Sequence, residues 1–371
     1  MSTFYTLGIA EHRIAALAQQ GIQTPAGIQA QTYPTLSDRR DAWLSAPTGS
    51  GKTLAYLLPL LQGIDAGSTD LQVVVLVPTQ ELAVQINDCI RLLEQSADTA
   101  IRSQLLIGNA SAKRQKEKLK KKPHIVVGTC GRMLSLASER KLKLHLCHCI
   151  VIDEADTMLG EDSIEDVEAI IKMTPRDRQL VFASATEKGH AFHHAQNMGK
   201  DVHWIQGEAL KSVSTIEHSY FETRYHNKTK ALQQLLETIQ PERAMVFVHR
   251  NLTAEEIGEE LTYRKFELHV LHGNMTKFDR EKALNQFRRG KVKVLIASDV
   301  AAKGLDIKKV SHIINFDLPS SPDDYLHRAG RTGRMGATGH AISIVTEEEH
   351  KLIRRYEREL DIEIEAIELG A

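Results

Sequence analysis

Ala42-Trp43-Leu44-Ser45-Ala46-Pro47-Thr48-Gly49-Ser50-Gly51-Lys52-Thr53, continuing into Leu54-Ala55-Tyr56-Leu57-Leu58, reads as a short apolar strand, a glycine-bearing loop and the start of a helix. Strand, loop and helix in that order form the repeating unit of a parallel α/β sheet. Glycines at 49 and 51 let backbone N–H groups turn inward, and the helix N-terminus adds a field that favours anions. The pattern predicts a phosphate-binding loop in which Pro47, Thr48, Gly49, Ser50 and Gly51 wrap phosphate. Lys52 then reaches the β- and γ-phosphates and Thr53 offers its hydroxyl to magnesium. A plain Gly-Ser turn is the bland alternative, and the complete pattern in its strand-loop-helix setting outweighs it.

A second stretch, Cys149-Ile150-Val151-Ile152 followed by Asp153-Glu154-Ala155-Asp156, places carboxylates where a buried strand gives way to a loop. Alone it is an acidic turn. Beside a phosphate loop, Asp153 becomes the candidate to hold magnesium, partly through water, because that ion keeps much of its hydration shell. Glu154 becomes the candidate to orient and deprotonate an attacking water. Together the two stretches specify an NTPase that acts on a nucleotide with Mg2+.

The rest of the chain repeats the same style. Val73 to Val77, Ile125 to Val127, Ile150 to Ile152 and Leu180 to Phe182 are apolar, β-branched runs separated by helical patterns. Ala244 to Val248, Lys293 to Ala297, Ser311 to Asn315 and Ala341 to Val345 continue the series. Such alternation indicates parallel sheets in βα units, and 371 residues exceed what one core usually holds. The expectation is an α/β protein of two domains, residues 1–207 and 215–371, joined by a short hinge at 208–214. In the first domain each sharp polar motif follows a strand, where parallel sheets bind ligands.

Composition narrows the class. Apolar residues make up 42% and charged residues 26%, as in a soluble globular protein. No apolar run approaches a membrane span, and Met1-Ser2-Thr3 does not open a signal peptide, so the expectation is a cytoplasmic protein without membrane contact. Four cysteines, Cys89, Cys130, Cys147 and Cys149, form no CxxC pair. His145, Cys147 and Cys149 alternate as on one strand face and fit buried small residues better than zinc. Net charge is −1, so any nucleic-acid site must be local. One candidate is Lys113 to Lys122, where seven cations accompany a single acid, Glu117. It reads equally as a solvated helix face or a contact surface.

With these motifs in place, the chain resembles the DEAD-box family of superfamily 2 RNA helicases over nearly its whole length. Asp153-Glu154-Ala155-Asp156 is the tetrapeptide that names the family. Gly21 to Gln29 is similar to the family's adenine-reading Q motif, which implies that Gln29 pairs with adenine and that Phe4 stacks on it. Ser184-Ala185-Thr186 resembles the motif linking ATP state to domain closure. His327-Arg328-Ala329-Gly330-Arg331-Thr332-Gly333-Arg334 matches the family's final motif. The resemblance implies that the nucleotide is ATP, two tandem RecA-like domains, arginine fingers at Arg331 and Arg334, a ribose contact at Asp306, and coupling roles for Asp156, Ser184, Thr186, His327 and Arg328. It also implies RNA contacts at Pro78, Thr79, Gln80, Gly108, Thr129, Arg132, His272, Gly273, Arg280, Ser298 and Asp299.

Several RNA-facing positions depart from the family pattern. Gln80 stands where arginine is usual, Cys130 replaces proline, and Asn109 replaces the second glycine of a pair. Lys277 takes the place of glutamine and Lys303 of arginine. Losing a cation at Gln80 is expected to weaken RNA binding and flatten its salt dependence, and Lys303 lacks the planar fork of arginine. Residues 347–371 hold nine acids against four bases, which is no basic RNA-binding tail. The resemblance therefore implies a compact bacterial-type RNA-dependent ATPase that locally unwinds RNA and acts as a monomer. Ribosomal precursors or other RNA-protein complexes are its expected partners, in ribosome assembly or cold adaptation. An ATP-gated RNA clamp or scaffold using the same residues is the alternative.

Overall fold

The computed structural model describes residues 2–47, 49–95, 101–108, 110–185, 189–207, 216–273, 275–298, 301, 310–333 and 338–368. Residues 208–215, which contain the expected hinge, lie outside the described residues. The chain divides into two compact units, Met1–Ala209 and Leu210–Ala371. Two tandem RecA-like units, each a parallel sheet flanked by helices, form the fold.

The first unit holds β1 (Ala42–Ser45), β2 (Val73–Leu76), β3 (Ser103–Leu106), β4 (Ile125–Gly128), β5 (Cys149–Asp153), β6 (Gln179–Ser184) and β7 (His203–Gln206). They pair in the order β3-β4-β2-β5-β6-β1-β7, every pair parallel. Helices α1 (Glu11–Gln19), α2 (Gly27–Ser37), α3 (Lys52–Gln62) and α4 (Gln80–Leu93) precede α5 (Ala112–Leu119) and α6 (Cys130–Ser138). The series continues with α7 (Ala155–Met158), α8 (Ile164–Lys172) and α9 (His190–Met198).

Successive side chains on a strand face opposite ways, and the core follows that rule. Val73 and Val75 join one cluster with residues of α2, α3 and α4, whereas Val74 and Leu76 join another with residues of α6, α8 and α9. Because both faces are covered, β2 can be apolar throughout, and each fully buried valine contributes on the order of 1.5–3 kcal/mol.

The second unit holds β8 (Ile216–Glu222), β9 (Ala244–Val248), β10 (Leu268–Leu271), β11 (Val294–Ser298), β12 (His312–Asn315), β13 (Gly339–Val345) and β14 (Glu365–Ala366). Their order is β10-β11-β9-β12-β13-β8-β14, again all parallel. Strand for strand this is the arrangement of the first sheet. Its helices among the described residues include α10 (Lys228–Ile239), α11 (Asn251–Tyr263), α12 (Lys277–Arg288), α13 (Pro322–Ala329) and α14 (His350–Leu360).

Two sequence expectations change. His145 lies in a 3₁₀ turn, Leu144–Leu146, and not on the strand that begins at Cys149, so His145, Cys147 and Cys149 do not share a strand face. The segment after Asp153 is not an open loop: α7 starts at Ala155. No helix among the described residues is long and apolar enough to cross a membrane.

Candidate nucleotide and RNA site

Strand β1 is wholly buried and delivers the chain to the phosphate loop at the carboxyl edge of the sheet. Ala46 N–H donates to Ser184 O at 3.2 Å, so the loop is fastened to the end of β6. Gly49 and Gly51 take left-handed conformations, φ 86° and 92°, which a side chain would strain. A Cβ on Gly51 would in addition collide with Nε2 of Gln29.

Lys52 opens α3. The residue as a whole is partly exposed, but its ammonium turns inward and donates to the carbonyls of Ala46 and Pro47, the latter at 3.0 Å. Burial lowers its pKa to about 8, against the opposing pull of Asp153, Asp156 and Glu154. Asp153, 5% exposed, ends β5. Tyr56 Oη donates to its Oδ2 at 2.8 Å and Glu154 N–H to its Oδ1 at 2.9 Å. Burial still raises the carboxyl's pKa, ahead of the lowering effects of Tyr56 and Lys52. Thr53 bonds the same tyrosine, so Tyr56 links the two candidate magnesium residues.

Glu154 is held at φ 50°, ψ 51° as the residue before α7. A non-glycine residue in this region stores strain of order 1–2 kcal/mol. The hydroxyl of Ser50 is buried with no hydrogen-bond partner among the described residues. A lysine folded onto loop carbonyls, an unsatisfied loop hydroxyl and a buried carboxylate beside a threonine fit a triphosphate with its metal ion.

Gln29 is 4% exposed, and both ends of its amide are engaged. Oε1 accepts from Ala26 N–H at 3.0 Å, and Nε2 donates to Gly51 O at 3.3 Å. The structure thus ties α2 to the phosphate loop through this glutamine. Phe4 is 2% exposed and belongs to the core cluster that also holds Ile9 and Leu17.

A second group gathers at the carboxyl ends of β2, β3 and β4. Thr79 Oγ1 caps α4 by accepting from Leu82 N–H at 3.2 Å, with Pro78 before it and Gln80 after it. Arg132 donates to Gly108 O at 2.6 Å and to Ile107 O at 3.2 Å. A Cβ on Gly108 would stand 3.5 Å from Nε2 of Gln80. Thr129 is the N-cap residue of α6 and donates from its backbone to Leu106 O at 3.2 Å. Gln80, Gly108, Thr129 and Arg132 are therefore neighbours. Cys130 begins α6, as a proline would, and burial pushes its thiol up to about 12, so it stays neutral.

The equivalent strand ends in the second unit carry His272, Gly273, Arg280 and Ser298. Gly273 N–H donates to Asn251 Oδ1 at 3.3 Å, Arg280 donates to Ala301 O at 2.6 Å, and His272 Nδ1 lies 3.1 Å from Glu255 Oε1. Ser298 ends β11, its hydroxyl buried without a partner among the described residues. Arg328 on α13 is 4% exposed and donates to Asn315 Oδ1 at 3.1 Å and Asp317 O at 2.6 Å, with its guanidinium 5.1 Å from the centre of the Phe247 ring. This fastens α13 to β12 and fixes where the half-buried His327 and Arg331 emerge. Thr48, Asn109, Thr186, Asp299, Lys303, Asp306 and Arg334, and the side chain of Lys277, lie outside the described residues.

Sequence reasoning passed over Tyr56 and Asp41. Asp41 accepts from Leu180 N–H and Lys200 N–H, each at 2.7 Å, and so clamps the entry of β1 to β6 and to the turn before β7. An aspartate just ahead of a buried strand was the available signal.

A parallel sheet with a phosphate loop after one strand and an acidic pair after another, followed by a second sheet of the same order, defines a tandem RecA-like nucleoside triphosphatase. Residues 26–192 match the DEAD/DEAH box helicase family model, and residues 227–336 match the helicase conserved C-terminal domain. The chain is 39% identical over 347 residues to the DEAD-box ATP-dependent RNA helicase CshC of Bacillus cereus, covering 94% of this chain and 88% of that one. To CshA of Bacillus subtilis it is 35% identical, covering 96% and 72%. The structure of S. cerevisiae Dbp5 bound to RNA and ADP BeF3 aligns with a TM-score of 0.91 at 28% identity, over 100% of this chain and 96% of that one. A DEAD box protein from Methanococcus jannaschii aligns at 0.57 and 31% identity, over 99% of each chain. The chain belongs to the DEAD-box ATP-dependent RNA helicase family.

Proposed function

We propose that this chain hydrolyses ATP when RNA drives its two units into a closed state, and that the cycle opens short RNA duplexes locally and without processive travel. The observation that carries the reading is the group of half-buried Lys52 and Thr53 with buried Asp153 and Tyr56, beside the strained Glu154, in a sheet whose β2–β4 ends bear the RNA candidates. In this proposal Lys52 leaves its loop carbonyls for the β- and γ-phosphates. Thr53 and Asp153 hold Mg2+, which neutralises charge on the phosphates. Glu154 orients the attacking water and takes its proton, and Arg331 and Arg334 stabilise charge developing on the transferred phosphoryl group.

Gln29 has the place of a nucleotide sensor, because adenine would compete for the amide that now bonds Gly51. Asp156, Ser184, Thr186, His327 and Arg328 would pass nucleotide state between the units. ATP and RNA then favour one state and bind cooperatively. Melting four stacked steps costs roughly 6 kcal/mol at about 1.4 each. That matches the ~5.5 kcal/mol that swings a two-state equilibrium from 1:99 to 99:1, so short local melting is within reach.

The test pairs an RNA-stimulated ATPase assay with strand displacement on a short duplex. Glu154→Gln should lower turnover by roughly 10²–10⁴-fold while retaining ATP and RNA together. Hydrolysis at the parent rate would remove Glu154 from its role, and ATPase without displacement would favour the clamp. Ribosomal precursors or other RNA-protein complexes are the proposed partners, and crosslinking followed by sequencing of bound RNA would identify them.

A further inference from the structure

Helix α5 crosses from β3, the edge strand of the first sheet, to β4. Its inward side is fixed by Gln115, whose Nε2 donates to Ile107 O at 2.8 Å and Ala110 O at 3.1 Å, and by Leu119, which packs against the core. Gln115 and Leu119 are one turn apart. Arg114 and Lys118, also one turn apart, line one flank of the helix beside that inward side, Lys113 lies on its outer face, and Lys121 stands in the turn just past the helix end at Leu119; all four are exposed.

The charges differ in how they are satisfied. Lys116 pairs with Glu139 and Lys120 with Glu117. Lys113, Arg114, Lys118 and Lys121 have no ion-pair partner among the described residues. The helix starts just past Ile107, Gly108 and Ala110, whose carbonyls Arg132 holds at 3.2, 2.6 and 3.4 Å. These cations therefore form a patch that begins at the proposed RNA contacts and runs along the sheet edge toward the amino ends of the strands. A chain of net charge −1 has concentrated cations at one place, and Arg140 and Lys141, exposed at the end of α6 next to Glu139, enlarge the same field.

We propose that the α5 patch binds the phosphates of RNA lying outside the segment gripped by the core motifs, lengthening the footprint without reading sequence. This rests on the proposed RNA function of the core. Phosphate contacts of this kind supply affinity and position but no base discrimination.

The test neutralises Lys113, Arg114, Lys118 and Lys121 together to glutamine in the full chain. A control neutralises Lys351, Arg354, Arg355 and Arg358 on α14, so that the two variants change net charge equally. Binding to 10-nucleotide and 30-nucleotide single-stranded RNA is measured between 50 and 200 mM salt. The α5 variant should lose roughly tenfold or more in affinity for the 30-mer at low salt, with the slope of log K against log salt falling by about 2–3. Its 10-mer affinity and its melting temperature should hold, and the control should bind both RNAs as the parent does.

An unchanged slope on the 30-mer overturns the proposal, as does an equal loss on both lengths, or an equal loss in the control. Intact RNA binding with lost retention on immobilised polyglutamate would assign the patch to an acidic protein partner and overturn it too. Failure of the parent chain to show any RNA-stimulated ATPase on the 10-mer would instead defeat the functional reading beneath it.

Discussion

Two sheets of identical strand order place a lysine at the first position of the helix after their first strand, and only one of these lysines stands in a phosphate loop. In the first unit Lys52 follows a loop with Gly49 and Gly51, and among the described residues its ammonium bonds the carbonyls of Ala46 and Pro47. In the second, β8 leads through Thr223-Arg224-Tyr225-His226-Asn227, without glycine, to Lys228. Lys228 is 1% exposed, bonds Glu349 Oε2 at 2.8 Å and Phe316 O at 3.1 Å, and so has its charge answered inside the protein. The mouths of β5 and β12 differ in the same sense. Asp153 ends one as a buried carboxylate; Asn315 ends the other as a neutral amide shared between Arg328 and Ser343. One topology thus carries the proposed reaction site in the first unit, and in the second a lysine and an amide satisfied by neighbours.

Substituting the two lysines breaks or sustains this contrast. Lys52→Ala should lower ATP turnover by roughly 10²–10³-fold with little change in urea midpoint. Lys228→Ala should leave nucleotide affinity unchanged and destabilise the second unit. The loss, read by urea unfolding, should be about 2–3 kcal/mol, below the ~3–5 kcal/mol for a fully buried pair because Glu349 is partly exposed. A Lys228 variant that unfolds like the parent but loses ATP would reverse the assignment.

Titration sharpens it. The free-state pKa of Lys52 is about 8, and phosphate favours the protonated amine, so bound nucleotide raises that pKa. Affinity should be level below pH 8 and fall above it, by up to about tenfold per pH unit until the bound-state pKa is reached. Fluorescent-nucleotide binding from pH 7 to 9.5 reads this directly, and Lys52→Arg should flatten the curve. The smallest effect is expected from Tyr56→Phe. Removing its donor from the buried Asp153 should cost about 1–2 kcal/mol of stability and raise the magnesium concentration needed for half-maximal activity.

The fold was largely open to sequence reasoning because central strands of a parallel sheet are apolar on both faces. Val73 to Leu76, Ile150 to Ile152 and Ala244 to Val248 announce themselves. The edge strands β3 and β10 do not, since Ser103 and Gln104 or His269 interrupt the apolar run where one side of the strand lacks a partner. Of the candidate site, residue types and spacing disclosed Lys52, Thr53, Asp153 and Glu154. They did not disclose that Gln29 bonds the carbonyl of Gly51, that Phe4 lies in the core, or that Tyr56 joins Thr53 to Asp153. Each of these links elements distant in sequence, and no local pattern encodes such a meeting.

The sequence alone determined the class of chemistry, because a glycine-bearing loop before a lysine and an acidic pair after a buried strand each need particular residues at fixed spacing. Tertiary structure decided which charges are left to act. Lys52 and Lys228 look alike as letters at a helix start. Only packing brings Glu349 onto one and leaves the other bonded to the carbonyls of Ala46 and Pro47, where burial lowers its pKa and a phosphate would favour the protonated amine.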